Sequence, residues 1–211
     1  MARPPSDIAQ RIVTAATERF LHDGVDGASL RQIARAAGTN LGMVYYYFPT
    51  KDELFLAVVE RHYAPLSRSI IEAVTGERPF DERVRALFER FGAMTDEESV
   101  VLRLVLREAL VSSERLTRLV DRMMHGHLPA MLGLLVDGIA AGRVGPEVHP
   151  AAAMVTMAVL AVVPQVMVRR LAAGQVGAAL PVPAELAGHL AAVALRGVGP
   201  TPPRPRARRR G

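Results

Sequence analysis

SLRQIARAAGTNLGMVYYY, residues 29–47, is the stretch on which the reading of the fold turns. Leu30, Ile33, Ala34 and Ala37 recur at helical spacing and give its first half one apolar face. Ser29 and Gln32 have the spacing of a capping box, which predicts a helix starting at Leu30. Gly38 can take a left-handed backbone conformation and so permits a tight turn. Asn40 is the expected N-cap of a second short helix, Leu41 to Tyr47, and Pro49 stops it. Val44 and Phe48, four apart, can dock this second helix. Leu41, Gly42, Met43, Tyr45 and Tyr46 are then left facing away from the support. Two short helices joined by a glycine turn, the second with an open N-terminal face, make a helix-turn-helix.

Helical periodicity continues on both sides. Upstream, Ile8, Ile12, Ala16 and Phe20 share one face of a helix from about Asp7 to His22, with Ser6 as its expected N-cap and Gly24 as its end. Downstream, Thr50 and Glu53 form a second expected capping box. It opens a long helix carrying Leu54, Phe55, Val58, His62 and Ile70. Past Gly76, helices are expected around Val84–Phe91, from Val100 towards Val111, over Leu128–Ala141, over Ala151–Leu171 with a bend at Pro164, and over Ala184–Arg196; Glu114–Met124 is a further segment. No strand alternation appears. The expectation is an all-α chain of about nine helices. It divides into a three-helix DNA-binding head (1–50), a helical body for ligand binding and dimerisation (51–198), and a disordered basic tail (199–211).

The formal charge of +5 is unevenly spread. Residues 1–50 hold five arginines against four acids, and residues 51–198 hold sixteen cations against seventeen anions. Arg204, Arg206, Arg208, Arg209 and Arg210 supply the excess, so bulk charge is no argument for a nucleic-acid surface. The chain has no cysteine, which excludes disulfides and thiolate metal sites. The polar start, Met1 to Gln10, lacks the apolar stretch of a secretory signal, and a cytoplasmic protein is expected. Val148–Val168 carries no Asp, Glu, Lys or Arg. Its His149, Pro150, Thr156, Pro164 and Gln165, and its many alanines, favour a buried or dimer-forming helix over a membrane span. Leu186, Ala187, Leu190, Ala191 and Ala194 give the last helix a similar small-residue face. A homodimer through the eighth and ninth helices (151–171 and 184–196) follows, since a monomer would expose too much apolar surface. No nucleophile–base spacing, phosphate loop or metal cluster stands out, so no enzyme, cofactor or metal is expected. His125 and His127, two apart, do not share a helix face and read as a polar bend.

The match of Arg11–Ala16, Phe20, Gly24, Ser29–Ala34, Ala37-Gly38, Gly42–Phe48 and Lys51–Leu54 resembles the tetracycline-repressor (TetR/AcrR) family over about fifty residues. That resemblance implies a nine-helix fold, a dimer through the last two helices, and a small-molecule pocket in the body. It implies phosphate contacts for Arg31, Tyr45, Tyr46 and Lys51, and a recognition-helix start at Thr39, Asn40, Leu41, Gly42 and Met43. Ser29 joins this DNA-binding set. Thr39 stands where an apolar residue is common, and Leu41 and Met43 where polar or small residues are. Apolar side chains cannot donate to guanine edges but can meet thymine methyls, so readout is expected to lean on methyls, phosphates and DNA shape. In the body, an apolar, adaptable ligand site is expected from Phe88, Phe91, Met94, Met131 and Met157, with His62, Arg103 and Gln165 as polar groups. The expected partners are a double-stranded palindromic operator, a second copy of the chain and a small apolar or amphipathic effector whose binding releases DNA.

Overall fold

In a computed structural model, residues 7–172, 174–175 and 177–199 are described. Ser6 and the five tail arginines lie outside them. The described chain is all helix: α1 (Asp7–Gly27), α2 (Leu30–Ala36), α3 (Leu41–Tyr47), α4 (Lys51–Val74), α5 (Phe80–Gly92), α6 (Asp96–Val111), α7 (Ser113–Met124), α8 (Leu128–Ala140), α9 (Pro150–Leu171) and α10 (Pro183–Val198), with a short 3-10 turn at Gly177–Ala179. Ser113–Met124 is a helix in its own right, so the helices expected to dimerise are α9 and α10 here. The Ser112 hydroxyl caps α7 by accepting from the Arg115 amide at 3.3 Å, and this separates it from α6.

Two compact units form. The first joins the chain up to Ile70 with Met94–Leu128; the second joins Ile71–Ala93 with Pro129 onward. The boundary at 70–71 therefore falls inside the continuous helix α4.

The first unit is built on the periodicity read above. Ile12, Ala16 and Phe20 of α1 are fully buried, as are Ile33 of α2, Val44 of α3 and Leu54, Phe55 and Val58 of α4. Val101 and Leu104 of α6 and Leu119 of α7 belong to the same cluster. Phe20 and Phe55 meet edge to face, ring centres 6.3 Å apart. Each large side chain so buried contributes roughly 1.5–3 kcal/mol. Gly24 ends the first helical run at φ 76°, after which a last turn carries on to Gly27. The position calls for glycine through its φ; the Arg107 guanidinium carbon, 2.9 Å from where a Cβ would sit, is the far end of a flexible side chain and could give way.

In the second unit, α10 packs against α5 and α9, and α5 against α9. Its buried faces are Phe80, Val84, Leu87, Phe88 and Phe91 of α5, Met157, Ala161 and Val166 of α9, and Leu186, Ala187, Leu190 and Ala191 of α10. Two polar straps run from α9: Gln165 Nε2 donates to the Pro183 carbonyl at 3.0 Å and Arg169 Nη2 to the Gly92 carbonyl at 2.8 Å. Arg83 of α5 donates to Asp137 of α8 at 2.9 Å. α9 is long and apolar enough to cross a membrane by length and composition, and only 33% of its apolar window is buried. Val155, Val159, Met167 and Leu171 stand exposed on it.

Candidate nucleic-acid interface

The turn between α2 and α3 is closed by two crossed bonds. The Gly38 amide donates to the Arg35 carbonyl at 3.1 Å and the Thr39 amide to the Ala34 carbonyl at 3.0 Å, with Gly38 at φ 63°. This is the Schellman arrangement, which uses up helix-end carbonyls and demands a residue at ease in the left-handed region. Asn40 then caps α3, its side-chain oxygen accepting from the Met43 amide at 3.0 Å. Val44 is fully buried beneath α3, and Phe48 is half-buried against the same core.

This docking decides which side chains face out. Tyr45 is 49% and Tyr46 70% exposed, and Arg31, Asn40 and Gly42 are exposed with them. Ser29, Thr39, Leu41, Met43 and Lys51 are half-buried. None of the ten expected DNA-facing residues is buried, and all ten lie on α2 or its N-cap, the turn, α3 or the first turn of α4. Tyr47 is half-buried and packs on its aromatic neighbours, 5.1 Å from Tyr46 and 6.4 Å from Phe48 between ring centres.

One detail differs from the sequence reading and one adds to it. The Ser29–Gln32 capping box does not form: Ser29 takes the extended N-cap conformation at φ −90°, ψ 119°, but its side chain makes no capping bond. Lys51 is not simply extended into solvent; its Nζ donates to the Asp26 carbonyl at 2.9 Å. At α4 the Thr50 hydroxyl does accept from the Glu53 amide, at 3.1 Å.

Two residues escaped the sequence reading. Arg35 lines the same shallow surface as Arg31, Gly38, Thr39 and Leu41; its spacing of four from Arg31 on α2 was the available signal. Arg115, on α7, donates through Nε to Asp52 at 2.9 Å and through Nη1 to Glu108 at 2.8 Å, and grips Asp26 with both terminal nitrogens. The hydrogen bond from Arg115 holds the Asp26 carboxyl below its ordinary range. Nothing in the local sequence marks this pairing, whose partners lie up to 89 positions away.

The residues expected at a ligand site divide between the units. Phe88, Phe91, Met131, Met157 and Gln165 are all buried in the second, and the Gln165 side-chain oxygen has no hydrogen-bond partner there. His62, Met94 and Arg103 belong to the first. Burial pushes the His62 imidazole below its ordinary pKa, and its Nδ1 lies 4.0 Å from Glu97. His125 and His127 occupy the turn after α7, as a polar bend requires: His125 Nδ1 lies 2.8 Å from the Asp121 carbonyl and His127 Nδ1 3.0 Å from the Tyr63 hydroxyl.

Residues 12–58, which contain this entire surface, match the model of the bacterial regulatory proteins of the tetR family. Over these residues the chain is similar to the tetR family. Among curated relatives, the chain is 29% identical over 109 residues to the HTH-type transcriptional activator FasR of Mycolicibacterium smegmatis, a match covering 52% of the chain and 50% of the relative. It is 25% identical over 150 residues to the transcriptional repressor BepR of Brucella suis, covering 67% and 71%. The chain thus spans half the length of the first of these. The fold matches the crystal structure of the regulator FadR from Bacillus subtilis in complex with stearoyl-CoA, with a TM-score of 0.69 at 18% identity over 90% of this chain and 98% of that one. The family matched there is one of bacterial regulatory proteins.

Proposed function

We propose that this chain is a cytoplasmic, homodimeric transcription regulator of the TetR family that binds a palindromic operator and releases it when a small apolar or amphipathic effector binds. The observation that carries the DNA part is the strip Asn40–Tyr46, docked by the fully buried Val44 with Asn40, Gly42, Tyr45 and Tyr46 exposed. In this reading Leu41, Gly42 and Met43 meet base edges, where methyl contacts dominate. Ser29, Arg31, Tyr45, Tyr46 and Lys51 hold phosphates and set register. Two-fold symmetry puts two such strips about one helical turn apart, roughly 34–36 Å.

The functional division follows the sequence: a reading head to residue 50, an effector and dimerisation body from 51 to 198, and the basic tail. The second copy covers the exposed apolar side chains of α9 and α10, which also accounts for α9 without a membrane. An apolar effector is supported by Phe88, Phe91, Met131 and Met157, with the unpartnered Gln165 oxygen as a polar anchor. A fatty acyl thioester is a sensible first probe, since the FadR likeness was solved with one. BepR is named a repressor and FasR an activator, so the sign needs a direct test.

The experiment is a gel shift with a duplex selected by the protein from a random pool, repeated with a series of free and CoA-linked fatty acids. The expected result is a palindromic consensus and at least tenfold weaker binding with one chain length. Selection of no sequence would overturn the DNA reading; a ligand that only tightened binding would overturn release.

A further inference from the structure

Arg115 is the most heavily engaged side chain of the first unit, and the DNA-facing surface above makes no use of it. Its side chain is 10% exposed and its guanidinium meets three carboxylates from three places in the chain. Asp26 lies in the short turn after the Gly24 break, Asp52 in the first turn of α4, and Glu108, only 2% exposed, on α6. Lys51 joins the same group by donating to the Asp26 carbonyl at 2.9 Å. Three negative charges and two positive ones are therefore gathered at the first turn of α4, where Lys51 is to meet a phosphate.

This arrangement has an electrostatic consequence. A phosphate approaching Lys51 also approaches Asp26 and Asp52. Unneutralised, those two carboxylates would repel it, and either could capture the Lys51 ammonium as an ion pair. A planar guanidinium that grips both carboxylates at once removes them as competitors and fixes the Asp26 carbonyl that orients Lys51. Lysine could neutralise but could not bridge all three acids in this way.

We propose that Arg115 is a positioning residue for DNA binding, acting through Lys51: its fork shields Asp26 and Asp52 and holds the first turn of α4 in the phosphate-receiving arrangement. The inference rests on the DNA-binding reading and deepens it.

A double-mutant cycle on the full chain tests it, with fluorescence anisotropy on the selected duplex at several salt concentrations. Lys51→Ala in the native background should weaken binding and lower the salt slope by about 0.9, the loss of one phosphate contact. Arg115→Gln should weaken binding at least tenfold, and Lys51→Ala added to it should then change neither affinity nor slope. Asp26→Asn added to Arg115→Gln should restore part of the affinity, which loss of packing alone would not do. Arg115→Lys, which keeps the charge and is the variant to use if the Gln form does not fold, should also weaken the Lys51 dependence. Equal Lys51→Ala effects in the native background and in whichever Arg115 variant folds would overturn the proposal while leaving DNA binding intact. A native chain that selects no duplex would instead remove the reading beneath it.

Discussion

Gly38 sits at φ 63°, where an L side chain costs roughly 1–2 kcal/mol. A Cβ there would meet the Arg11 guanidinium nitrogen at 3.4 Å, an ordinary contact, so the cost of replacing the glycine is conformational rather than steric. Gly38→Ala should lower stability by about 1 kcal/mol in urea unfolding with an unchanged m-value. Much of this surface was readable at the residue level because its logic is local: a cap, a turn glycine and two docking residues at a spacing of four. Ser29 shows where locality fails. Its spacing to Gln32 fits a capping box, yet the backbone enters α2 without the side-chain bond. Lys51 and Arg115 show a second failure. What each does depends on acids brought in from distant positions, and pairwise spacing along the chain carries no trace of that.

At the scale of elements, α7 lies alongside α4 in the same direction, tied at three levels. Arg115 bonds Asp52, Arg122 bonds Glu60, and beyond the helix end His127 meets Tyr63, so the partners advance together along both chains. The middle rung is solvent-exposed on both sides and is worth at most about 1 kcal/mol. The last rung is different. Burial pushes the His127 pKa down to about 4, and Gly126 beside it leaves no room for a Cβ against the Tyr63 hydroxyl. A histidine depressed in the folded state binds fewer protons there than in the unfolded chain. Stability is therefore full above about pH 6.5 and falls as the pH drops towards 4, by at most about 1.4 kcal/mol per unit. Urea unfolding at pH 7.5 and pH 5 should show this slope, and His127→Gln should flatten it. The sequence marked residues 114–124 only as a segment, because its strongly amphipathic pattern is brief and the Ser112 cap is a single hydroxyl. The reading of His125 and His127 as a polar bend needed only their spacing.

Across the whole molecule, α9 and α10 carry the testable claim about assembly. Val155 and Val159 are 60% and 52% exposed on one side of α9. Replacing both with Glu should yield a monomer at micromolar concentration in analytical ultracentrifugation, with the melting of an isolated chain little changed and operator affinity lost with the second reading strip. Sequence periodicity identified α9 as apolar nearly all round and gave α10 a small-residue face, but it could not say which side remains uncovered once α5 has packed against both. The first compact unit, meanwhile, is discontinuous: it takes Val101, Leu104 and Leu119 from beyond residue 94 to finish a core that begins at Ile12. Anyone transplanting this reading module onto a foreign sensor would inherit the problem. A crossover just after residue 50 would sever the recipient from the side chains that seal the donor's interior, so productive hybrids should be those that carry both pieces across together.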